Sequence, residues 1–128
     1  MKILLDTHIA LWAITDSPKL SPRARELILS PQNEIHVSAA SVWEIAIKHG
    51  LGRENMPVSG AEAKRYFEEA GYTLLAISAD HAAATETLPP IHADPFDRVL
   101  VAQAQTEPLK LVTHDATVAR YGDGIVLV

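Results

Sequence analysis

Cysteine is absent from the 128-residue sequence, and aromatic residues make up only 5 % of it. The absence of cysteine excludes a disulfide framework, a thiolate zinc site and a cysteine nucleophile. No apolar run approaches the ~20 residues that a membrane-spanning helix needs. Only three apolar residues separate Lys2 from Asp6, which is too few for a secretory signal. We therefore expect a soluble, cytoplasmic protein with no membrane partner.

Positive charge is also scarce, because the formal net charge is −5. A protein that holds nucleic acid only by neutralising phosphates is expected to be basic. A nucleic-acid partner would therefore require positive charge from another source. The length, with 48 % hydrophobic residues, suits one domain with a buried core. We predict that residues 1–128 form a single domain.

Short aliphatic runs alternate with stretches of helical spacing along the whole chain. The runs predict strands at 2–5, 35–38, 72–77, 109–113 and 125–128. The stretches between them predict helices at 8–14, 21–30, 41–50, 61–70, 78–88, 96–106 and 115–121. A polar break at 52–60 is too short for a domain boundary. Strands that are apolar on both faces predict an α/β fold with three layers and a short, mostly parallel central sheet of about five strands.

Four acidic residues fall where such a sheet places its ligands. Asp6 directly follows the first strand, and Glu44 lies in the first turns of the helix after the second. Asp115 lies two residues beyond the fourth strand, and Asp97 lies in the first turn of the helix before that strand. In open α/β sheets, sites form at the carboxyl ends of the strands. The four side chains are therefore candidate site residues.

Each of these acids also has a structural interpretation. Ser41 and Glu44 have the spacing of a capping box, and Glu44 can pair with Lys48 one turn later. The other acids suit helix starts, namely Asp6, Asp94, Asp97 and Asp115.

Two arguments favour a site. Asp97 shares a helix face with Leu100, Val101 and Ala104, which are expected to be buried. An acid that only complements a helix dipole would be expected on a solvent-exposed face instead.

Carboxylates gathered at one sheet edge would also repel each other, by about 4 kcal/mol for two charges ~4 Å apart at an effective dielectric near 20. A surface salt bridge offsets only ~0–1 kcal/mol of that repulsion. Oxygen ligands without cysteine or paired histidines indicate Mg²⁺ or Mn²⁺, and two such ions would change the formal charge from −5 to −1.

These motifs resemble those of PIN-domain ribonucleases and, among them, the VapC-type toxins of bacterial toxin–antitoxin pairs. The resemblance is carried by residues 4–8 (LLDTH), 37–46 (VSAASVWEIA), 92–98 (HADPFDR), 102–104 (AQA), 111–115 (LVTHD) and 121–122 (YG). It implies a PIN-like fold over almost the whole chain. It also implies an acidic quartet of Asp6, Glu44, Asp97 and Asp115, in which Asp97 is preferred to Asp94 because Ala104 follows it by seven residues.

The chemistry implied by this resemblance is Mg²⁺-dependent hydrolysis of RNA phosphodiesters, with Mn²⁺ as an alternative ion. Asp6 and Asp97 would be the main metal ligands, while Glu44 and Asp115 would complete the anionic pocket. Thr113 matches a position where the family often has Ser or Thr beside the metal. The implied partners are an RNA substrate, a cognate antitoxin and a second copy of the chain in a homodimer.

Other interpretations remain open at this point. An aspartate-nucleophile phosphatase or phosphoacceptor domain would favour Asp-x-Asp after the first strand, but the sequence there is Asp6-Thr7-His8. A non-catalytic PIN-like scaffold that only binds a partner predicts no metal binding. Arg98 is a candidate for a phosphate contact or a salt bridge.

The histidines and tryptophans also allow some expectations. The six histidines lack the paired spacing of zinc ligands, although His92 and His114 lie close enough in sequence for a minor role. Trp12 and Trp43 follow helical apolar spacing and are expected in the core or at a dimer interface. The helices around Trp12 and at 61–70 are candidate docking surfaces for the antitoxin.

Overall fold

Five short parallel strands form the central sheet, in the spatial order β3-β2-β1-β4-β5. The computed structural model describes residues 1–52 and 56–128. The strands are β1 (Lys2–Leu5), β2 (Glu34–Ser38), β3 (Thr73–Leu75), β4 (Lys110–Thr113) and β5 (Ile125–Leu127). All four strand pairs are parallel, which confirms the predicted α/β class.

Helices cover both faces of the sheet and produce three layers. They are α1 (Thr7–Ile14), α2 (Pro22–Leu29), α3 (Ala39–Gly50), α4 (Gly60–Glu69), α5 (Ala79–Ala84), α6 (Pro95–Thr106) and α7 (Ala116–Ala119), with a 3₁₀ turn at Thr85–Thr87. No helix in residues 1–52 and 56–128 is long and apolar enough to cross a membrane.

The alternation of side chains along β1 divides the core between the two faces. Ile3 and Leu5 pack with apolar residues of α1, α2, α3 and α4, whereas Leu4 packs on the other face with residues of α6 and α7. All three side chains are fully buried. Successive residues of a strand point to opposite faces, so a strand covered on both sides is continuously apolar. The centre of the sheet is therefore packed on both faces, and the carboxyl ends of β1 and β4 lie side by side.

The start of α3 differs from the prediction. The helix begins at Ala39, and the Ser38 hydroxyl accepts a hydrogen bond from the Ala40 backbone N–H at 3.0 Å. Ser41 is buried inside the helix, where its hydroxyl lies 2.9 Å from that of Thr7. The predicted capping box of Ser41 and Glu44 is therefore wrong, because an earlier serine at the strand end already caps the helix. This places Glu44 in the second helical turn.

The predicted bounds of the edge strand β3 are less accurate than those of the central strands. The third strand is shorter than the predicted 72–77, because β3 has a single neighbour in the sheet and pairs with β2 over only three positions. The predicted polar break at 52–60 includes residues 53–55, which lie outside the described residues.

Candidate active site

The four predicted acids line one cleft at the carboxyl ends of β1 and β4. This cleft has a volume of about 250 Å³. Its lining includes a fifth acid, three histidines and one lysine, so that the full set is Asp6, His8, Glu44, Lys48, His92, Asp94, Asp97, His114 and Asp115. Among the described residues, five carboxyl groups thus share the cleft with a single lysine ammonium group.

Asp6 is both a helix cap and part of the cleft. Its side chain is nearly buried, and Oδ1 accepts a hydrogen bond from the Ile9 backbone N–H at 3.0 Å, which caps α1. Oδ2 accepts a hydrogen bond from the Thr113 hydroxyl. The Thr113 oxygen in turn accepts from the Asp115 backbone N–H at 3.0 Å, so this residue connects the ends of β1 and β4. Asp6 therefore caps α1, as its structural interpretation predicts, and its carboxylate also lines the cleft.

Glu44 enters the cleft from α3 and has a cationic partner. It is 4 % exposed, and its Oε2 lies 2.6 Å from the Lys48 ammonium group one turn later. The predicted pair therefore forms. Because Lys48 is already engaged with Glu44, it offers little charge compensation to the remaining carboxylates of the cleft.

Asp94 and Asp97 have different environments although they are three residues apart. Asp94 caps α6, where its Oδ1 accepts from the backbone N–H groups of Phe96 at 2.8 Å and Asp97 at 3.2 Å. Asp97 stands on the helix face that it shares with buried Leu100 and Val101. Burial raises the pKa of Asp97 to about 7, and the charges of Asp94, Asp6 and Glu44 act in the same direction while His92 opposes them.

Asp115 caps α7 at the opposite side of the cleft. Its Oδ1 accepts hydrogen bonds from the backbone N–H groups of Thr117 at 2.8 Å and Val118 at 3.4 Å. Burial acts to raise the pKa of Asp115, but these two hydrogen bonds and the adjacent His92 outweigh it, so the pKa lies below its ordinary value.

His92 joins these two sides of the cleft. Its Nε2 lies 3.4 Å from Oδ2 of Asp97 and 3.4 Å from Oδ2 of Asp115. In the described part of the chain, these three residues present ligand atoms that all lie within 4.8 Å of one another. The sequence indicated no more than a minor role for His92, because a single histidine in a proline-rich loop has no periodicity that would place it.

Arg98 forms no salt bridge among the described residues, so its predicted salt bridge is wrong, while its phosphate contact stays a prediction. Its guanidinium group donates to the backbone carbonyls of Thr85 at 2.9 Å and Pro89 at 3.1 Å, and to the Tyr121 hydroxyl at 3.1 Å. The loop before α6 exposes carbonyl groups that need donors, and Arg98 supplies them. Its hydrogen bonds therefore fasten this loop to α6.

An aromatic cluster borders the cleft beside Asp6. The ring of Trp12 lies 4.7 Å from that of His114 and 5.8 Å from that of His8, measured between centroids. Burial lowers the pKa of His8, which favours its neutral form. Trp12 packs against the core as predicted. Trp43 is 59 % exposed and contacts Phe96 edge to face, so the core alternative is wrong for it, and its place at a dimer interface stays a prediction.

A larger groove of about 680 Å³ lies between α3, α4 and β3. Its walls are mainly apolar and include Val42, Trp43, Ala46 and Leu75, and its lining among the described residues contains no carboxyl group. The groove therefore has room for a ligand, and its titratable side chains in the described part of the chain are His49 and Lys64 rather than a cluster of carboxyl groups. The smaller acidic cleft is the candidate active site.

The donor set of the acidic cleft suits a hard divalent cation. Carboxylate oxygens are the ligands that Mg²⁺ and Mn²⁺ prefer, and thiolate is absent from the sequence. The pKa of Asp97 is raised to about 7 first by burial and then by the charges of nearby carboxylates, and a bound cation would favour its ionised form.

The parallel sheet with helices on both faces defines an α/β fold with a carboxylate-rich cleft at its strand ends. A family model for the PIN domain matches residues 3–124. The chain belongs to the PIN domain family, which confirms the resemblance seen in the sequence. No curated protein has a significant match to the sequence.

Solved structures of toxin–antitoxin proteins have a similar fold. VapBC2 from Rickettsia felis, bound to promoter DNA, matches with a TM-score of 0.71 at 18 % identity, covering 100 % of this chain and 98 % of that chain. DNA-bound VapBC from Salmonella typhimurium matches with a TM-score of 0.68 at 18 % identity, covering 100 % and 97 %. VapC20 from Mycobacterium tuberculosis, a toxin that cleaves the sarcin-ricin loop, matches with a TM-score of 0.61 at 16 % identity, covering 94 % and 95 %.

Proposed function

We propose that the protein is a divalent-metal-dependent endoribonuclease that acts through the acidic cleft. The observation that carries this proposal is the gathering of five carboxyl groups around one cleft in a PIN-domain chain, with one lysine among the described lining residues. Asp6, Glu44, Asp97 and Asp115 would hold Mg²⁺, or alternatively Mn²⁺. When bound, the ion acts as a Lewis acid on the phosphodiester and supplies the positive charge that the cleft lacks.

The residues of the chain would divide the remaining work. The backbone and hydroxyl donors around Asp6 fix its carboxylate, so that it need not reorganise when a cation arrives. Asp97 would lose its proton as a cation binds, because an adjacent positive charge favours the ionised carboxyl. Lys48 would hold Glu44 in place, and Asp115 would close the cleft from α7.

RNA is the proposed substrate, and an antitoxin is the proposed partner. Both follow from the proteins of similar fold, which include a toxin–antitoxin complex from Klebsiella pneumoniae, VapBC complexes and the RNA-cleaving VapC20. We further propose that residues 1–128 act as one nuclease domain, that the chain forms a homodimer and that it is the toxin of a VapBC-type pair.

A cleavage assay tests the proposed activity. The purified chain is incubated with RNA in Mg²⁺, in Mn²⁺ and in excess chelator, beside the variants Asp6→Asn and Asp97→Asn. Asp80→Asn is the matched control, because it makes the same chemical change at an exposed position on α5. We expect the wild type and the control to cleave RNA only with metal, and both cleft variants to be inactive. Equal cleavage in chelator, or by the cleft variants, would contradict the proposal.

A further inference from the structure

His92 is the closest neighbour that Asp97 and Asp115 share. With Nε2 at 3.4 Å from an oxygen of each, it completes the tightest group of possible metal-ligand atoms among the described residues. The simplest interpretation of this geometry is that the imidazole is a third ligand, next to two carboxylates. The other nitrogen of the ring argues against that interpretation.

The Nδ1 atom of His92 accepts a hydrogen bond from the Asp94 backbone N–H at 3.0 Å. A backbone N–H can only donate, so Nδ1 must present its lone pair to it. In a neutral imidazole one nitrogen carries the proton and the other does not. The proton of His92 therefore resides on Nε2, the atom that faces the two carboxylates. A protonated nitrogen has no lone pair for a metal, so Nε2 in this orientation is a donor and not a ligand.

The main chain of His92 is also held from both sides. Its backbone N–H donates to the Tyr121 hydroxyl at 2.8 Å, and its carbonyl accepts from the Arg98 guanidinium group at 3.4 Å. Arg98 binds the carbonyls of Thr85 and Pro89 as well, which fixes the loop that carries the histidine. Ring and backbone contacts together hold the Nε2–H group towards the cleft. This explains why Arg98 serves the loop rather than the acids.

We propose that His92 is a positioning residue: its Nε2–H group is shared by Asp97 and Asp115 and aligns both carboxylates for the ion, without ligating it. This inference rests on the proposed function, since it assigns a role at the same cleft. The two distances of 3.4 Å exceed those of a well-formed single hydrogen bond and match a position of Nε2 midway between two carboxylate oxygens. Loss of a group that orients metal ligands typically weakens metal affinity by about 10- to 100-fold.

The position of the ring proton can be measured directly. Long-range ¹H–¹⁵N NMR spectra of the full chain, recorded without metal and with saturating Mg²⁺, distinguish a protonated ring nitrogen from an unprotonated one. The His92→Gln spectrum identifies the His92 signals by their absence. We expect Nε2 to carry the proton in both states. An unprotonated Nε2, in either state, would overturn the inference.

Substitutions provide the second readout, which is Mg²⁺ affinity measured by calorimetry. His92→Leu removes the donor, whereas His92→Gln keeps an N–H group that can reach the carboxylates. His49→Leu is the matched control, because His49 is exposed in the last turn of α3. We expect affinity to fall at least about 10-fold in His92→Leu and to be largely retained in His92→Gln and in the control.

The outcomes separate this inference from the proposed function. If His92→Gln is as weak as His92→Leu, or if His92→Leu binds Mg²⁺ like the wild type, the positioning role is wrong. Should His92→Leu fail to fold, His92→Gln and the wild-type NMR spectra still decide. If the wild type itself binds no Mg²⁺, the proposed function is contradicted, and the metal-free spectrum decides where the ring proton resides.

Discussion

Two sides of the acidic cleft each place one carboxyl group at the same distance from one imidazole, but the pKa values of the two carboxyl groups are shifted in opposite directions. The α6 wall carries Asp97, and the α7 wall carries Asp115, each 3.4 Å from Nε2 of His92. The pKa of Asp97 is raised to about 7 by burial, whereas burial of Asp115 is outweighed by backbone hydrogen bonds and its pKa is lowered. The shared histidine cannot be the cause of this difference.

The difference comes from where each helix begins. Asp115 occupies the cap position of α7 and receives two backbone N–H groups. On α6 the cap position belongs to Asp94, so Asp97 lies inside the helix and receives no such donors among the hydrogen bonds of the described residues. A capped carboxylate is stable as an anion by itself. A buried carboxylate without backbone donors is stabilised as an anion mainly by a nearby cation. We therefore expect the α6 wall to depend more on a bound metal than the α7 wall.

The largest expected effect separates the two acids of α6. Asp97→Asn should lower Mg²⁺-dependent RNA cleavage by more than about 100-fold, beyond the range typical of groups that only orient a ligand. Asp94→Asn should lower it far less, because an asparagine oxygen still caps the helix. Initial cleavage rates of both variants at saturating Mg²⁺ test this. Comparable losses in the two variants would mean that Asp94 shares the role assigned here to Asp97.

The next effect concerns stability without metal. Because the pKa of Asp97 is higher in the folded than in the unfolded chain, the folded protein binds more protons between about pH 4 and pH 7. The free energy of unfolding therefore falls as the pH rises through this range. In chelator at pH 8, Asp97→Asn should be more stable than the wild type by on the order of 2 kcal/mol, and at pH 4 the gain should be small.

Denaturant unfolding of the two proteins at both pH values measures this gain. Asp80→Asn, which changes an exposed acid, should show no comparable dependence on pH. A wild type that is more stable than Asp97→Asn at pH 8 without metal would show that Asp97 is compensated by the chain itself.

A smaller effect is expected at the residue that joins β1 and β4. Thr113 donates its hydroxyl to Asp6 and accepts from the backbone of Asp115. Thr113→Val keeps the side-chain volume but removes both contacts, and it should reduce Mg²⁺ affinity by about 10-fold. Thr113→Ser retains the hydroxyl and should bind Mg²⁺ like the wild type. If serine were as weak as valine in calorimetry, packing and not the hydrogen bonds would be responsible.

The smallest effect is the loss of the α7 cap. Asp115→Ala should lower the free energy of unfolding by about 1 kcal/mol at neutral pH, whereas Asp115→Asn retains an acceptor and should lose less. Since the pKa of Asp115 is lowered in the folded state, the charge-dependent part of its stabilisation is present above the unfolded pKa and disappears as the pH falls through the folded one. Thermal unfolding of both variants at neutral and acidic pH checks the loss and its direction.

The elements that follow from local pattern were predictable, and so were the different positions of two neighbouring acids on α6, whereas the assignment of Asp97 to the site stays a prediction. Apolar runs located the strands, and the position of Asp97 on the face of Leu100 and Val101 distinguished it from the cap residue Asp94. Both features depend on a few adjacent residues, which a sequence displays directly.

The wrong predictions concern residues whose partners are distant in sequence, and positions where two residues of the same type could serve the same role. Ser38 and Ser41 are both suitable caps, and only the end of β2 decides between them. Arg98 binds carbonyls of a loop without periodicity, and the same loop presents His92 to the cleft. The exposure of Trp43 depends on how α3 packs against α4 and α6, which helical spacing alone does not determine.

The proposed function depends most on the binding of a divalent ion by the gathered carboxylates. Crystals grown with Mn²⁺ test it directly, because anomalous scattering locates the ion independently of any catalytic assay. The expected result is a strong anomalous peak in the cleft, between Asp6 and Asp97, that is absent from crystals of Asp97→Asn. A wild-type crystal saturated with Mn²⁺ and without a peak in this cleft would contradict the proposed function.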